Sequence, residues 1–472
     1  MLKDFFKFSF GSWVSAGISF FTVPIITLLI NPEQFGKASM FILTSGILFQ
    51  FVLFGTDQSF LRFFYEYEGN KRATLLCNTI FPSIIVWGGL TISIFFCWKW
   101  ISIWLISEQQ VLIVGLLCVN LLMGIFSRYA FLVIRMKKKS IFFSLTQIVA
   151  TIINVIVIII YSKYISNTFY AIVWGGMCSQ LITIIISVIK ERNFWFVRWS
   201  ISKQQINAIL KYGLPFIPTC LMAMLFEGMD KIFIRKFVGF EGLGLYSVAF
   251  KIVAALSILQ TGFSTFWVPT SYEYYEKNPN DKTLYEKTFK YVSFILFLCG
   301  LGLIAIKDII VLLFNKTYVE AASIMPFLIF IPILYILSEI TNLGINFTKK
   351  TYWHIVIFGI LLLLCILFNI IFIPWLGING AALSVALSYL CYFTLRTIIS
   401  IRLFPMRFCL RKTAVLFLLL FVVAGINTFC NKKIGISCAG LGILVCLLLN
   451  ISTIKDIFLY FRRYANLILY KR

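Results

Sequence analysis

Charge is scarce in this chain. Asp, Glu, Lys and Arg supply only 13% of its 472 residues, about half the share found in soluble globular proteins. That shortage excludes a water-facing surface over most of the length. Histidine is confined to His354, and a lone imidazole cannot assemble a metal site. The 12 cysteines are scattered through apolar runs without a single C-x-x-C, so they are expected to be buried small apolar residues, not zinc ligands or a disulfide framework. Long polar segments are missing as well. The two longest, about 191–208 and 269–288, leave no room for a separate soluble catalytic domain, and no catalytic residue is assigned. Ten-residue alternating segments, the mark of a membrane β-barrel, do not occur. Lys3, Asp4 and Lys7 precede an apolar run containing Pro24 with no A-x-A site, so the first helix is expected to be retained.

What the chain has is apolar length. Hydrophobic residues make up 60% of it, in recurring runs of twenty or more, each sufficient to cross a ~30 Å hydrocarbon core at ~1.5 Å per helical residue. The fold class expected is an all-α polytopic membrane protein. Fourteen spans are read, near 8–30, 38–61, 79–100, 109–134, 141–162, 169–189, 211–236, 244–268, 289–314, 322–345, 353–374, 378–401, 412–430 and 434–454. The formal charge of +24 is explained by alternate loops, not by nucleic acid. Arg135, Lys137, Lys138 and Lys139 follow span four, Lys190, Arg192, Arg198 and Lys203 follow span six, and Arg402, Arg407, Arg411 and Lys412 follow span twelve, with Arg462, Arg463, Lys471 and Arg472 in the tail. The opposite loops hold few cations, such as Lys37, Lys163, Lys316, Lys432 and Lys433. The bias places both termini in the cytoplasm.

The sequence also repeats itself. "KFSFGSW" at Lys7 matches "KYGLPFI" at Lys211, "NPEQFGKAS" at Asn31 matches "GFEGLGLYS" at Gly239, "RFFYEYEGN" at Arg62 matches "SYEYYEKN" at Ser271, and "RMKKKS" at Arg135 matches "FTKKTYW" at Phe347. The offset stays near 205–215 residues. Two pseudo-symmetric six-helix lobes are therefore expected, 1–203 and 204–403, followed by 404–472 with the last two helices and a basic cytoplasmic tail. An even number of spans per copy makes the repeats parallel, with a site between them.

Ionisable residues interrupt the apolar runs. Glu227, Asp230 and Lys231 stand three and four residues apart in span seven, so they are expected on one side of a helix, roughly 5–10 Å outward of the midplane at ~1.5 Å per residue. Asp57, Arg128, Lys251 and Glu339 add both signs from other spans. Facing lipid, each ionised group costs about 2.5–3.5 kcal/mol, so the set points to a polar interior and a substrate or ion path. A structural Glu227–Lys231 pair, a snorkelling Lys231, and Asp57 and Arg128 as topology markers are the competing readings. Pro215 and Pro218 break the start of span seven and predict a bend or hinge there.

The segments "GTDQSFLRFFYEYE" from Gly55 and "MDKIFIRKFVGFEGLGLYSVAFK" from Met229 to Lys251 resemble oligosaccharide flippases of the Wzx-like polysaccharide-export type, within the multidrug/oligosaccharidyl-lipid/polysaccharide exporter superfamily. Asp230, Lys231, Gly244, Tyr246, Ser247, Ala249 and Lys251 carry the resemblance. It implies a MATE-like arrangement working by alternating access. The implied function, not an enzymatic one, is to move undecaprenyl-pyrophosphate-linked repeat units across the bacterial inner membrane for O-antigen, capsule or exopolysaccharide. The implied partners are the lipid-linked oligosaccharide, membrane lipids and other polysaccharide assembly proteins. The resemblance implies no cofactor beyond coupling to an H+ or Na+ gradient in some relatives. On this reading Arg62, Arg128, Lys231 and Lys251 are candidates for the pyrophosphate, through charge and forked hydrogen bonding. Glu227, Asp230 and Glu339 are candidates for ion coupling. A cation-coupled drug exporter of the same superfamily, a glycan polymerase or ligase, and the peptidoglycan-precursor flippase are the rival readings.

Overall fold

A computed structural model describes residues 2–196, 200–254, 256–278, 281–350 and 352–456. Arg198 and the tail cations Arg462, Arg463, Lys471 and Arg472 lie outside the described residues. No strand occurs among the described residues. The chain divides into two compact units, Met1–Ser247 and Val248–Arg472.

The first unit begins with α1 (Leu2–Leu29) and α2 (Pro32–Leu53), then the short α3 (Thr56–Phe63). There follow α4 (Asn70–Phe96), α5 (Trp98–Ile106), α6 (Val111–Met136), α7 (Ser140–Tyr164) and α8 (Tyr170–Lys190). The short α9 (Arg192–Trp195) and α10 (Lys203–Gly213) lead into α11 (Phe216–Phe237) and the start of α12 (Phe240–Ala254). α7 packs between α1 and α8, and α6 packs on α2, α4 and α8. Local sequence explains the ends of α2. Asn31 caps it by accepting from the Gln34 N–H at 2.9 Å, and Pro32 occupies the first turn, where a missing N–H loses nothing. The helix stops at Phe54 and Gly55, both left-handed at φ 52° and 71°. The single span expected over 38–61 is thus divided, and α3 sets off separately.

The second unit holds α13 (Ser257–Lys277), α14 (Thr283–Val311), α15 (Ala321–Leu328), α16 (Phe330–Thr341), α17 (Leu343–Phe347), α18 (Tyr352–Leu403), α19 (Leu410–Phe429) and α20 (Lys432–Leu449). α16 lies against α14 and α18, and α20 against α14 and α19. α18 has 52 residues, about two and a half times what a ~30 Å core requires. It breaks at Gly377, where φ 57° and ψ −134° suit glycine alone.

Ten helices among the described residues are long and apolar enough to cross a bilayer, or eleven if α10 and α11, bent by 45°, count as one span. The expected count of fourteen is not reached on this measure. α1 offers only the shorter apolar stretch Trp13–Leu29. α18 holds two of the expected spans in one run, and the span expected near 244–268 is divided between α12 and α13.

Polar contacts sort the loops of the first unit into two ends. At one, Lys37 Nζ pairs with Glu33 and Glu108, each at 3.1 Å. Beside it the Phe169 N–H donates to Gln34 Oε1 at 3.0 Å, and Tyr170 Oη donates to Gln110 Oε1 at 2.6 Å. At the other, Lys137 and Lys139 both bind the Glu191 carboxylate. There Tyr65 Oη donates to the Met136 carbonyl at 2.7 Å, and Asn78 Nδ2 to the Ser200 carbonyl at 3.1 Å. Each cluster thus ties together loops from helices distant in sequence.

Candidate functional site

The polar centre of the first unit is built from the break after α2. Two left-handed residues reverse the chain there. Gly55 then meets Gly213 backbone to backbone, where a Cβ on Gly55 would lie 2.1 Å from the Gly213 carbonyl oxygen. Ser59 Oγ donates to the Ile209 carbonyl at 2.7 Å, so α3 is fastened to α10. Thr56 closes the other side through Tyr129 Oη at 2.7 Å and Ser83 Oγ at 2.9 Å. Phe60, Leu76, Ile125 and Val133 pack around this knot with almost no exposure. The next residue in sequence is thereby aimed at α6.

That residue is Asp57, whose side chain is only 7% exposed. Its Oδ2 accepts from Arg128 Nη2 at 2.8 Å and Nε at 3.3 Å, and from Gln58 Nε2 at 3.1 Å. The guanidinium is 42% exposed. Arg128 therefore neutralises a buried carboxylate with one edge, while Nη1 has no partner among the described residues. Such a geometry leaves forked donors and positive charge for an oxyanion. Cys220 on α11 is near enough to feel both charges.

The trio of span seven separates. Glu227 is exposed, Lys231 half-buried and Asp230 buried. Asp230 accepts from the Lys231 backbone N–H at 2.9 Å and from the Tyr246 hydroxyl on α12. Lys231 interacts electrostatically with both carboxylates. Asp230 thus turns into the protein while Glu227 turns away. Arg62 stands apart from Arg128, exposed at the end of α3 and paired with Glu66. Pro215 precedes α11 and Pro218 sits in its first turn, so the 45° bend falls between α10 and α11 and not within a helix.

In the second unit Lys251 is exposed on α12. Glu339 on α16 is bound by Arg396 of α18, Nη1 to Oε1 at 3.1 Å. The same Nη1 donates to Ser338 Oγ at 2.9 Å, and the guanidinium lies over the Tyr392 ring at 4.7 Å. Arg396 was not among the sequence candidates. It sits close to the basic stretch after span twelve, where an arginine reads as a topology marker. The usable signal was its place inside "LSYLCYFTLRTIIS", an otherwise uncharged run. Among the described residues no group of three or more His, Cys, Asp and Glu side chains is arranged for a metal ion.

No curated protein matches the chain in sequence. Among solved structures the chain is similar to the lipid II flippase MurJ in an inward closed conformation, with a TM-score of 0.68 and 17% identity over 96% of this chain and 99% of that one. An inward-facing multidrug resistance MATE family transporter of the MOP superfamily gives 0.62 and 14% identity over 86% and 95%. A MOP superfamily transporter from Pyrococcus furiosus gives 0.50 and 13% over 88% and 96%. These likenesses establish the fold, a multi-pass helical one shared with MurJ and the MATE transporters. The family model described as polysaccharide biosynthesis protein matches residues 1–275, more than half of the sequence. The chain is a member of the polysaccharide biosynthesis protein family.

Proposed function

We propose that the protein is a flippase that carries undecaprenyl-pyrophosphate-linked oligosaccharide units from the inner to the outer leaflet of the bacterial cytoplasmic membrane. It would work by alternating access, with both termini cytoplasmic, in the assembly of O-antigen, capsule or exopolysaccharide. The observation that carries this reading is the family match over residues 1–275. The half-exposed Arg128 supports it. A pyrophosphate is anionic at neutral pH, and a guanidinium already held by Asp57 is pre-oriented for forked donation. Lys231 and Lys251 are proposed as further contacts, and Arg62 as an approach site beside α3. Of the three acidic candidates, Glu227 is the one proposed for H+ or Na+ exchange, since Asp230 and Glu339 are engaged by Tyr246 and Arg396.

The test is reconstitution. Purified protein in vesicles holding lipid-linked oligosaccharide in one leaflet should expose it in the other, with its chain length unchanged. A longer glycan would signify a polymerase. The likeness to a MATE transporter favours drug export as the second reading. Cells lacking the protein should accumulate lipid-linked oligosaccharide at their normal drug tolerance. Drug sensitivity with normal surface glycan would favour export.

A further inference from the structure

α16 is enclosed on nearly every side, and the part it leaves open is polar. Nine of its 12 residues are buried. The other three, Ile331, Tyr335 and Glu339, are half-buried. They stand four positions apart and so form one stripe along the helix. α13, α14 and α18 pack around the rest of α16. A stripe turned to hydrocarbon would be apolar, because an ionised group there is costly. Glu339 therefore marks this stripe as the lining of a polar space in the second unit.

Two layers of side chains back the stripe. The first is aromatic. The Tyr392 ring, in the second half of α18, lies 6.4 Å from Tyr335 and 5.7 Å from Phe358, in the first half. One helical turn along each of these segments the second layer is ionisable, at Glu339, Arg396 and His354. Arg396 Nη1 holds Glu339 Oε1 at 3.1 Å, and His354 is near enough to feel the Arg396 charge. The guanidinium lying 4.7 Å from the Tyr392 ring joins the layers. Tyr392 and Arg396 are both buried, so they serve as fixed backing, and Tyr335 and Glu339 are the members presented. Asn342 Nδ2 also donates to Glu339 Oε1, at 3.4 Å. Among the described residues Oε2 of Glu339 accepts no hydrogen bond.

This chemistry selects among ligands. Arg396 cancels the charge of Glu339, so a cationic drug gains no net attraction there. A pyrophosphate is repelled by the half-buried carboxylate, and a polyprenyl tail gains nothing from it. A sugar ring fits. One face of a pyranose is a sheet of C–H groups, which a tyrosine ring can cover. Its edge carries hydroxyls, which make strong hydrogen bonds to an ionised acceptor. We propose that Tyr335 and Glu339 form a sugar-binding site, with the C–H face of a neutral pyranose on the Tyr335 ring and its hydroxyls donating to Glu339. The proposal rests on reading the protein as a flippase of lipid-linked oligosaccharide, and it assigns the glycan to the second unit.

Hydroxyl-radical footprinting of the full chain in lipid nanodiscs tests the site. Lipid-linked oligosaccharide from cells lacking the protein, at about twice its Kd, should lower oxidation of Tyr335 about threefold as the free fraction falls. Undecaprenyl pyrophosphate without sugar should leave Tyr335 unprotected. Equal protection by both lipids, protection by tetraphenylphosphonium alone, or no protection would overturn the site. In vesicles, Tyr335→Leu should raise the KM for lipid-linked oligosaccharide about tenfold, with the binding of undecaprenyl pyrophosphate unchanged. Tyr335→Phe keeps the ring and should keep the parent KM. A folded Tyr335→Leu protein with an unaltered KM would also overturn the site. If Tyr335→Leu does not fold, footprinting of the unaltered chain decides alone. If the parent moves no lipid-linked oligosaccharide, the proposed function fails. Footprinting with the same glycan, released from its lipid by mild acid, then still judges the site: protection of Tyr335 supports it and no protection overturns it.

Discussion

Tyr246 of α12 has no exposed surface, and its hydroxyl donates to Oδ2 of Asp230 on α11. Oδ1 of the same carboxylate accepts from the Lys231 N–H at 2.9 Å. A buried carboxylate with donors on both oxygens joins two helices of a hairpin. Tyr246→Phe removes one donor and leaves Asp230 buried, so the folded protein should lose about 1–3 kcal/mol. The thermal unfolding midpoint in detergent reads this directly. Asp230→Asn should be milder, because an amide still accepts from Tyr246. An unchanged midpoint in Tyr246→Phe would show that the bond does not hold the hairpin.

The Asp57–Arg128 pair separates a structural duty from a transport duty. Arg128→Ala leaves a carboxylate buried without its partner and should lower both stability and transport. Adding Asp57→Asn removes the stranded charge, so the double variant should recover most of the stability yet still fail to move lipid-linked oligosaccharide. Arg128→Lys should keep the charge and lose the fork, giving intermediate transport. Unfolding midpoints and flipping rates on the same preparations check this. Normal transport in the double variant would remove Arg128 from substrate handling.

Much of the architecture was legible because bilayers impose it. Apolar runs of fixed length follow from crossing hydrocarbon repeatedly, and they carry the all-helical, multi-pass fold. What was not legible is where side chains turn. Glu227, Asp230 and Lys231 fit one helical stripe by spacing, but successive residues differ by about 100° around the axis. Asp230 lies far enough round from Glu227 to meet Tyr246. The Asp57–Arg128 pair spans 71 positions and depends on two left-handed residues, Phe54 and Gly55, which no apolar pattern announces. Arg396 was overlooked because its partner Glu339 lies 57 residues away and its own neighbours resemble a span end.

Arg396 and Glu339 are both largely buried, at 7% and 15% side-chain exposure. Removing one member strands the other, so Arg396→Ala should destabilise the second unit by about 3–5 kcal/mol. Replacing both by apolar residues of similar volume, Arg396→Met with Glu339→Leu, should restore most of that. Flipping measured with and without an imposed H+ or Na+ gradient then tests the acid. If the double replacement keeps the gradient response of the parent, Glu339 serves structure. If the response disappears while folding is intact, Glu339 couples the ion after all.

Glu191 gives a pH test outside the membrane-spanning helices. Burial alone raises its carboxyl pKa, but hydrogen bonds and charge from Lys137 and Lys139 outweigh burial and hold it below the ordinary 4.5. A carboxyl held lower in the folded than in the unfolded state contributes stability that is fully present above the unfolded value. That contribution declines as pH falls through the folded one. Between pH 7 and 5 the α6–α7 turn should therefore stay fastened to the end of α8, and the loss should set in only below about 4.5. Glu191→Gln should lower the unfolding midpoint at neutral pH and flatten the acid limb, because the group that titrates is gone. Parent and variant midpoints measured from pH 7 to 3 decide the matter. If their acid limbs run parallel, other carboxylates govern acid sensitivity and the two lysines hold Glu191 without stabilising the fold.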